Sequence, residues 1–487
     1  MGYEEVAKLA LERCFFFPAA EIYGDALAGF WEYGPLGVSL KNRVVELWRR
    51  EMVRRDGMLE VDGSVILPER VFAASGHLKG FADPVVECLR CGSVHRADKL
   101  IEQIIGALVP EKLSEKELDG LLEKNQARCP KCGGQLSKTR RFNMMFKLGV
   151  GAREAAPAYL RPETCQSIFL DFPRVFRTMR CKLPAALAQV GRSFRNEISP
   201  RQGLIRLREM IQAEIEIFFN PAKAGDYHKF RLVEDYELSI QPLDSSETKP
   251  FSCKQAVKEG LIANELIAYY MALLQQFYDK TGIPGSEMRY REMGAEERAF
   301  YAEQGWDLEV RTSLGWLELV ACNYRTDYDL RGHARESGRD LAIMDEGKVL
   351  PHVFELSMGI DRTVYSIMEH SLTREKERVV LKVPPYLAPI QVAVFPLVNR
   401  KGLPDEAKRI HNMLRTSFDV FYDDSGSIGR RYRRQDEVGT PCCVTVDYQT
   451  MEDKTVTVRD RDTMLQDRTG VDAVLGHIRE KVSFPSG

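Results

Sequence analysis

Between Gln189 and Phe219 the chain carries fixed charge at regular spacing. Ser193, Arg195 and Glu197 alternate along one stretch. Met210, Gln212, Glu214 and Glu216 alternate with Ile211, Ala213, Ile215 and Ile217 along the next. A period of two places each set on one face of a strand. Ser199-Pro200-Arg201-Gln202-Gly203, between them, has the composition of a turn. The expected element is an antiparallel hairpin whose polar face carries both signs. Its arginines suit phosphate, and its carboxylates suit an ammonium group or an amino-bearing base. A solvated sheet face gives the same alternation, so the pattern by itself leaves both readings open.

A second group is Cys88-x-x-Cys91 and Cys129-x-x-Cys132, each pair followed directly by a glycine. Two such knuckles present four thiolates, the ligand set of structural zinc, and a full shell leaves no open position for catalysis. The 37 residues between the pairs exceed a compact ribbon. Helices are expected there over Ala97–Leu108 and Ser114–Lys124, the second opened by a Ser114-x-x-Glu117 capping box. The competing reading is a metal-free insertion with reduced thiols.

These groups need a sizeable scaffold. At 487 residues two to four domains are expected. Hydrophobic content of 44% and charged content of 29% are those of an ordinary water-soluble chain. A net charge of −2 gives no global attraction to nucleic acid, so any RNA contact rests on local patches. No apolar run reaches membrane-spanning length. The first residues show no basic leader and no apolar stretch, and Val6 stands where a myristoylation signal needs Ser or Thr. Eleven cysteines, an odd number, fit a reducing compartment with some thiols on metal. The expected location is cytoplasmic.

The periodicity predicts helices over residues 4–16 and 38–56, the second stopped by Gly57. A strand follows over Gly63–Leu67, with Pro68 after it. Residues 226–280 read as helical, most strongly Glu259–Tyr278, and Glu296–Asp307 reads as a further helix. Gly315–Val320 reads as a strand, and Pro351–Arg362 as a strand entering a helix near Gly359. Pro384, Pro385 and Pro389 mark a linker over Lys382–Pro389. Beyond it a strand at Ile390–Phe395, a helix at Glu406–Thr416 and strands at Phe418–Tyr422, Cys442–Asp447 and Thr455–Arg459 predict a separate α/β domain. There, Gly426–Glu437 sets four arginines around Tyr432. That segment suits RNA phosphate and base, or equally a solvated helix face.

Phe194-Arg195-Asn196-Glu197, with the run to Glu214, resembles motif 2 of the class II aminoacyl-tRNA synthetases in its glycyl-tRNA synthetase form. Pro68–His77, Gly80–Pro84, Phe142–Phe146, Tyr159–Thr164 and Tyr328–His333 are similar to further signatures of the glycyl family. Pro351–Arg362 resembles motif 3, and residues 38–68 stand where the family has motif 1, its dimer interface. The last domain resembles the anticodon-binding domain shared by the glycyl, histidyl, prolyl and threonyl enzymes. Two departures stand out. Ala321-Cys322-Asn323-Tyr324-Arg325 replaces the family's usual Gly-x-Ala-Asp-Arg, and Asp361 stands where many members have glycine.

The resemblance implies a multidomain protein of α+β and α/β parts. An antiparallel-sheet class II catalytic domain would span 1–87 and 141–383. It would be interrupted by a four-cysteine, zinc-ribbon-like insertion at 88–140 and a helical insertion at 224–295. An α/β anticodon-binding domain would follow at 384–487. It further implies a glycine–tRNA ligase working as a homodimer on glycine, ATP and tRNA(Gly), with no DNA or membrane partner. Arg195 and Arg362 would be catalytic. ATP would lie on Arg195, Asn196, Glu197, Arg206, Leu207, Glu318, Leu319, Gly359 and Arg362, with Glu318 holding Mg2+. Glycine would lie among Arg96, Glu163, Glu214, Glu355 and Ser357, and zinc on Cys88, Cys91, Cys129 and Cys132. Other readings are a prolyl or threonyl enzyme, a non-catalytic relative that should have lost the phosphate arginines, and a zinc hydrolase, for which no His/Glu set is present.

Overall fold

Apolar residues at helical spacing bury one face of α1 (Tyr3–Glu12) and of α2 (Pro35–Trp48). Proline opens α2, where its missing N–H costs nothing. Gly37 is required there, because a Cβ would lie 1.8 Å from the Phe15 carbonyl oxygen. The helix runs on as a π-helical turn, Arg49–Arg54, before Gly57 at φ +70°. The computed structural model describes every residue except 108, 111–112, 153–155, 201, 377 and 486–487. The expectations for Leu108 and Arg201 lie outside the described residues.

In place of the single strand expected at Gly63–Leu67 there are two short ones, β1 (Leu59–Glu60) and β2 (Ile66–Pro68). They belong to different sheets, and the backbone between them crosses from one to the other. A small lobe follows: β3 (Ala82–Glu87), β4 (Val94–Arg96), α3 (Ala97–Ile105), α4 (Glu115–Lys124) and β5 (Arg140–Asn143). Its strands order as β4-β3-β5, and Val86, Ala97, Leu100, Ile101, Leu118 and Leu122 give it a core of its own. The capping box forms as expected, with Ser114 accepting from the Glu117 amide and Glu117 accepting from the Ser114 amide.

β6 (Lys147–Val150) and β7 (Ala156–Leu160) pair beside β2, and α5 (Cys165–Thr178) follows. Then come β8 (Ala185–Phe194), β9 (Glu209–Phe219), β10 (Glu237–Gln241), β11 (Lys249–Ser252) and α6 (Glu265–Asp279). β12 (Met288–Glu292), β13 (Gln304–Thr312), β14 (Gly315–Thr326), α7 (Tyr328–Ser337), β15 (His352–Gly359) and α8 (Ile360–Ser371) complete the unit. The main sheet has nine strands in the order β11-β10-β12-β13-β14-β15-β9-β8-β1, and only the β10–β12 and β8–β1 pairs are parallel.

Ala213, Ile215 and Ile217 of β9 face a large core shared with α2, α6 and α8. Phe218 instead meets Phe169 and Phe172 of α5. Both faces of β9 are therefore covered, and Glu214 and Glu216 are buried rather than solvated. Eleven residues of α6 are buried. Truncating one of them, Leu273→Ala for example, is expected to cost about 2–5 kcal/mol.

Four expectations are corrected. β8 ends at Phe194 and the backbone folds back, with the Glu197 amide donating to the Arg195 carbonyl (2.7 Å); Arg195 and Glu197 share no strand face. The stretch 224–295 is not simply helical: it gives β10, β11 and β12 to the main sheet, and α6 lies inside the main core. No helix spans 296–307. Trp306, Leu308 and Val310 bury one side of β13, so pairing with β12 and β14 overrides the helical bias of the glutamates and alanines. The proline-rich 382–389 stretch is no free linker, since Val383, Leu387 and Ala388 are fully buried in the main core.

The C-terminal α/β unit holds β16 (Val392–Pro396), α9 (Leu403–Leu414), β17 (Val420–Tyr422), α10 (Ile428–Val438) and β18 (Cys442–Val446). It closes with β19 (Thr455–Asp460), β20 (Gln466–Gly470) and α11 (Val471–Val482). The sheet order is β17-β16-β18-β19-β20, the first three parallel, around a separate core. The arginine segment is α10. Arg431 is buried and donates to the carbonyls of Pro396 and Gly426, and Arg434 holds Asp423. Those two arginines stabilise the domain, whereas Arg430 and Arg433 stay exposed.

Candidate active site

A cavity of about 430 Å³ opens over the middle of the main sheet. β9, β14 and β15 form its floor, the first turn of α8 and the loop after β8 one end, and the 293–301 segment its roof. Among its walls are Glu163, Arg195, Glu197, Arg206, Leu207, Glu318, Leu319, Glu355, Ser357, Gly359 and Arg362. Glu214 lies directly beneath, paired in register with Ser357 across β9 and β15. Most sequence-derived site residues are thus brought together by three adjacent strands and the loops that join them.

One end of the cavity is acidic. Glu163 accepts from the Gln166 side chain (2.8 Å) and the Cys165 thiol (2.9 Å) and faces His77 Nε2 (3.1 Å). Burial pushes its carboxyl upward, but His77 and Arg325 outweigh that and hold it well below the usual range. Glu214 accepts from Thr164 Oγ1 (2.5 Å) and Ser357 Oγ (2.6 Å); burial and the Glu163 charge raise its pKa. Glu355 accepts from Asn323 Nδ2 and Arg325 Nη1, both at 2.8 Å. Burial pushes it up to about 8, against the attraction of Arg325. Glu163 and Glu355 lie against the Arg325 guanidinium, which Asp329 also holds, and Glu214 is held by two hydroxyls, so a substrate ammonium would bring a further cation to this crowded carboxyl set and favour its ionised forms.

The other end is basic. Arg195 donates Nε to the Pro162 carbonyl (3.0 Å) and lies over the Phe81 ring. Arg206 pairs with Glu197 through Nε (2.8 Å) and Nη2 (2.7 Å). Arg362, in the first turn of α8, donates Nε to the Ile205 carbonyl (3.0 Å). Its Nη1 donates to the Glu318 carbonyl (2.9 Å) and carboxylate (3.2 Å). These arginines converge from separate elements on one cavity wall, an arrangement suited to a polyphosphate. Asp307 shares the wall with Glu318. Burial, then the Glu318 charge, raises the Asp307 pKa well above normal, and a divalent cation on hard oxygen ligands would relieve that repulsion.

Two expected residues stand apart. Arg96 is held by Asp98 (3.1 Å) and Asp83 (3.2 Å), outside the walls of the cavity. Asn196 reaches the site's frame through its backbone amide, which donates to the Met144 carbonyl (2.6 Å), and its side chain is not among the walls. The sequence reading missed Arg325, His77, Asn323 and Asp307. Arg325 is fully buried and bidentate to Asp329 (2.7 and 2.8 Å), and also holds Glu355. Its i,i+4 spacing to Asp329 was the available signal. His77 reaches Glu163 across 86 positions of sequence, a separation that carries no local signal.

In the small lobe, the four sulfurs of Cys88, Cys91, Cys129 and Cys132 lie within 4.8 Å of one another. Two of the contacts measure 3.5 and 3.8 Å. Zinc–sulfur bonds of about 2.3 Å in a tetrahedron put sulfurs about 3.8 Å apart, so the residues fit that ion. Gly92 and Gly133, at φ +68° and +70°, turn each knuckle back on itself, and their amides donate to the Cys88 and Cys129 carbonyls.

A largely antiparallel sheet whose cleft gathers Arg195, Arg206 and Arg362 from the loop after β8 and the first turn of α8 fits the catalytic architecture of the class II aminoacyl-tRNA synthetases, and this chain is one of them. Residues 146–243 match the family described as tRNA synthetase class II core domain (G, H, P, S and T), and residues 391–481 match the anticodon binding domain family. The chain is similar over 99% of its length to a glycine–tRNA ligase of Methanothrix thermoacetophila, at 40% identity and covering 97% of that protein. It is 38% identical to the ligases of Methanocaldococcus jannaschii, with 99% of each chain covered, and of Aeropyrum pernix, with 98% of this chain and 96% of that one. The chain belongs to the glycine–tRNA ligase family.

Proposed function

We propose that this chain joins glycine to the 3′ end of tRNA(Gly) in two steps on the cavity above. In the first, a glycine carboxylate oxygen attacks the α-phosphorus of ATP. The bond to the pyrophosphate oxygen breaks, giving glycyl-adenylate and pyrophosphate. In the second, a hydroxyl of the terminal ribose attacks the glycyl carbonyl carbon and AMP leaves. Both steps rest on positioning and charge stabilisation and need no nucleophilic side chain.

In this reading Arg195 contacts the α-phosphate and the glycine carboxylate and stabilises the charge that develops during attack. Glu197 accepts from the adenine amino group, while Arg206 and Arg362 take the outer phosphates; Leu207, Leu319 and Gly359 line the nucleotide. The existing Glu197–Arg206 and Glu318–Arg362 pairs would exchange partners when ATP enters. Bound Mg2+ supplies charge neutralisation at the phosphates, with Glu318 and Asp307 as the carboxylates to hold it. Glu163, Glu214, Glu355 and Ser357 surround the glycine ammonium, with Arg325 fixing Glu355. Cys88, Cys91, Cys129 and Cys132 would hold a structural zinc ion.

The same reading assigns residues 384–487 to tRNA binding and 88–140 to the zinc lobe. It places the catalytic domain in 1–87 and 141–383, a homodimer contact at α2, and the protein in the cytoplasm. The observation that carries it is the buried carboxylate set facing three convergent arginines in one cavity. That geometry suits a small ammonium-bearing acid beside a polyphosphate. Amino-acid-dependent ATP–pyrophosphate exchange tests it, with glycine, alanine, serine and proline in parallel. Exchange with glycine is expected to exceed that with the other three by about tenfold or more; another amino acid preferred over glycine, or exchange with none, rejects the assignment.

A further inference from the structure

The carboxylates at the acidic end cannot select glycine. Every α-amino acid offers them the same ammonium and the same carboxylate, so discrimination has to act at the α-carbon. The wall there is mostly small: Ala299, Ala321, Asn323 and Ser357. Tyr301 is the exception, the one aromatic ring lining the cavity among the described residues.

Its position is stiff. The ring lies against the Arg325 guanidinium, with Cζ 3.7 Å from its centroid. Arg325 cannot withdraw, because it is fully buried between Asp329 and Glu355. The Phe300 ring packs on Tyr301 at 5.0 Å in an edge arrangement and lies beside Gly76 and Gly80, with its outer side exposed. The backbone is tied on both sides, by the Glu303 amide to the Tyr324 carbonyl (2.8 Å) and the Met293 amide to the Gly305 carbonyl (2.9 Å). The guanidinium that the ring covers donates to Glu355 (2.8 Å) and lies 4.0 Å from Glu163, so the ring sits at the acidic end of the cavity. A ring held on three sides does not yield to an added methyl group, and a clash with a rigid wall costs more than the missing attraction of one methyl.

We propose that the Tyr301 ring is the wall that excludes a side chain on the substrate α-carbon and so determines specificity for glycine over alanine. The proposal rests on the ligase reading above and adds to it a residue from a segment outside the three motifs.

The test compares kcat/KM for alanine with that for glycine in ATP–pyrophosphate exchange, using the full-length chain and three variants. In Tyr301→Ala the alanine-to-glycine ratio is expected to rise about tenfold or more, the range one methyl group commands. Tyr301→Leu, which keeps apolar bulk in the roof, should move the ratio in the same direction by less. Tyr301→Phe keeps the ring and should hold the ratio within about threefold. An unchanged ratio in both Tyr301→Ala and Tyr301→Leu overturns the proposal, as does a Tyr301→Phe ratio that relaxes as far as that of Tyr301→Ala. A wild-type chain that exchanges with no amino acid refutes the ligase reading itself, an outcome separate from either of these.

Discussion

Arg195 shows how little of a functional residue's setting is local. Its neighbour Asn196 is not among the cavity walls, and Arg195 is held by the Pro162 carbonyl and the Phe81 ring from distant segments. It is partly buried and makes one side-chain hydrogen bond to a carbonyl, so its share of the folding free energy is about 1 kcal/mol. Arg195→Ala should therefore leave the thermal midpoint nearly unchanged while lowering glycine-dependent exchange about 10²–10³-fold, the usual loss for one stabilising donor. Exchange within about threefold of wild type in a folded variant would remove Arg195 from the reaction. Arg195, Arg206, Glu214 and Arg362 stood out because their segments resemble motifs 2 and 3 of the class II enzymes. Arg325 was not, because its meaning lies in Glu355, thirty positions away, and in the ring of Tyr301. Asp307 was hidden for another reason: its segment was assigned to a helix, which puts its carboxylate on no particular wall.

At the scale of elements, the turns between strands proved harder to read than the strands. β9, β14 and β15 follow their alternation, whereas 293–303 became the roof of the site only because β12 and β13 pair on either side of it. Asp361, the departure from the usual glycine, is an element-level device. One oxygen accepts from Tyr33 Oη and the other from the Ile211 amide, both at 2.6 Å. It ties the first turn of α8 to β9 and to the short strand Trp31–Tyr33 that precedes α2. Burial pushes its pKa up to about 6, against the pull of Tyr33, Ile211, Lys41 and Arg192. A raised carboxyl pKa means that the folded chain keeps a proton the unfolded chain has lost, so stability falls as pH rises from about 4 to about 6. Relative to Asp361→Asn, the wild-type unfolding free energy should drop by up to about 3 kcal/mol across that window. Parallel pH curves for the two proteins in denaturant titrations would show that Asp361 is already ionised at pH 4. The knuckles give a second expectation. After exhaustive dialysis the purified chain should retain about one zinc ion, and a strong chelator should release it with loss of structure in the small lobe. A metal-free chain that keeps its α3 and α4 helices would reject the site.

For the whole molecule, the sequence marked a boundary at the prolines but not how tightly the two sides adhere. The last domain is docked by charge as well as by apolar contact. Asp436 of α10 is 1% exposed and accepts from Arg378 of the catalytic unit (2.9 Å) and from Arg459 of its own domain (2.8 and 3.0 Å). Around it, Arg461 donates to the Leu381 carbonyl, Glu437 pairs with Arg13, and Asp419 pairs with Arg43. Val438 of α10 belongs to the main core. Cutting the chain near residue 384 would strip this seam and expose the core, so a truncated protein is a poor test of what the last domain does. Removing one partner is cleaner. Asp436→Ala leaves two buried guanidiniums without their shared carboxylate, a change that typically costs about 3–5 kcal/mol. The loss falls at the seam rather than in the cavity, whose walls, among the described residues, include none from the last domain. At a temperature where the variant remains folded, glycine-dependent exchange should stay within about threefold of wild type while charging of tRNA falls much further, because only the second step needs both units in register. Equal losses in the two assays would mean that the seam supports the catalytic sheet itself rather than the placement of the domain beyond it.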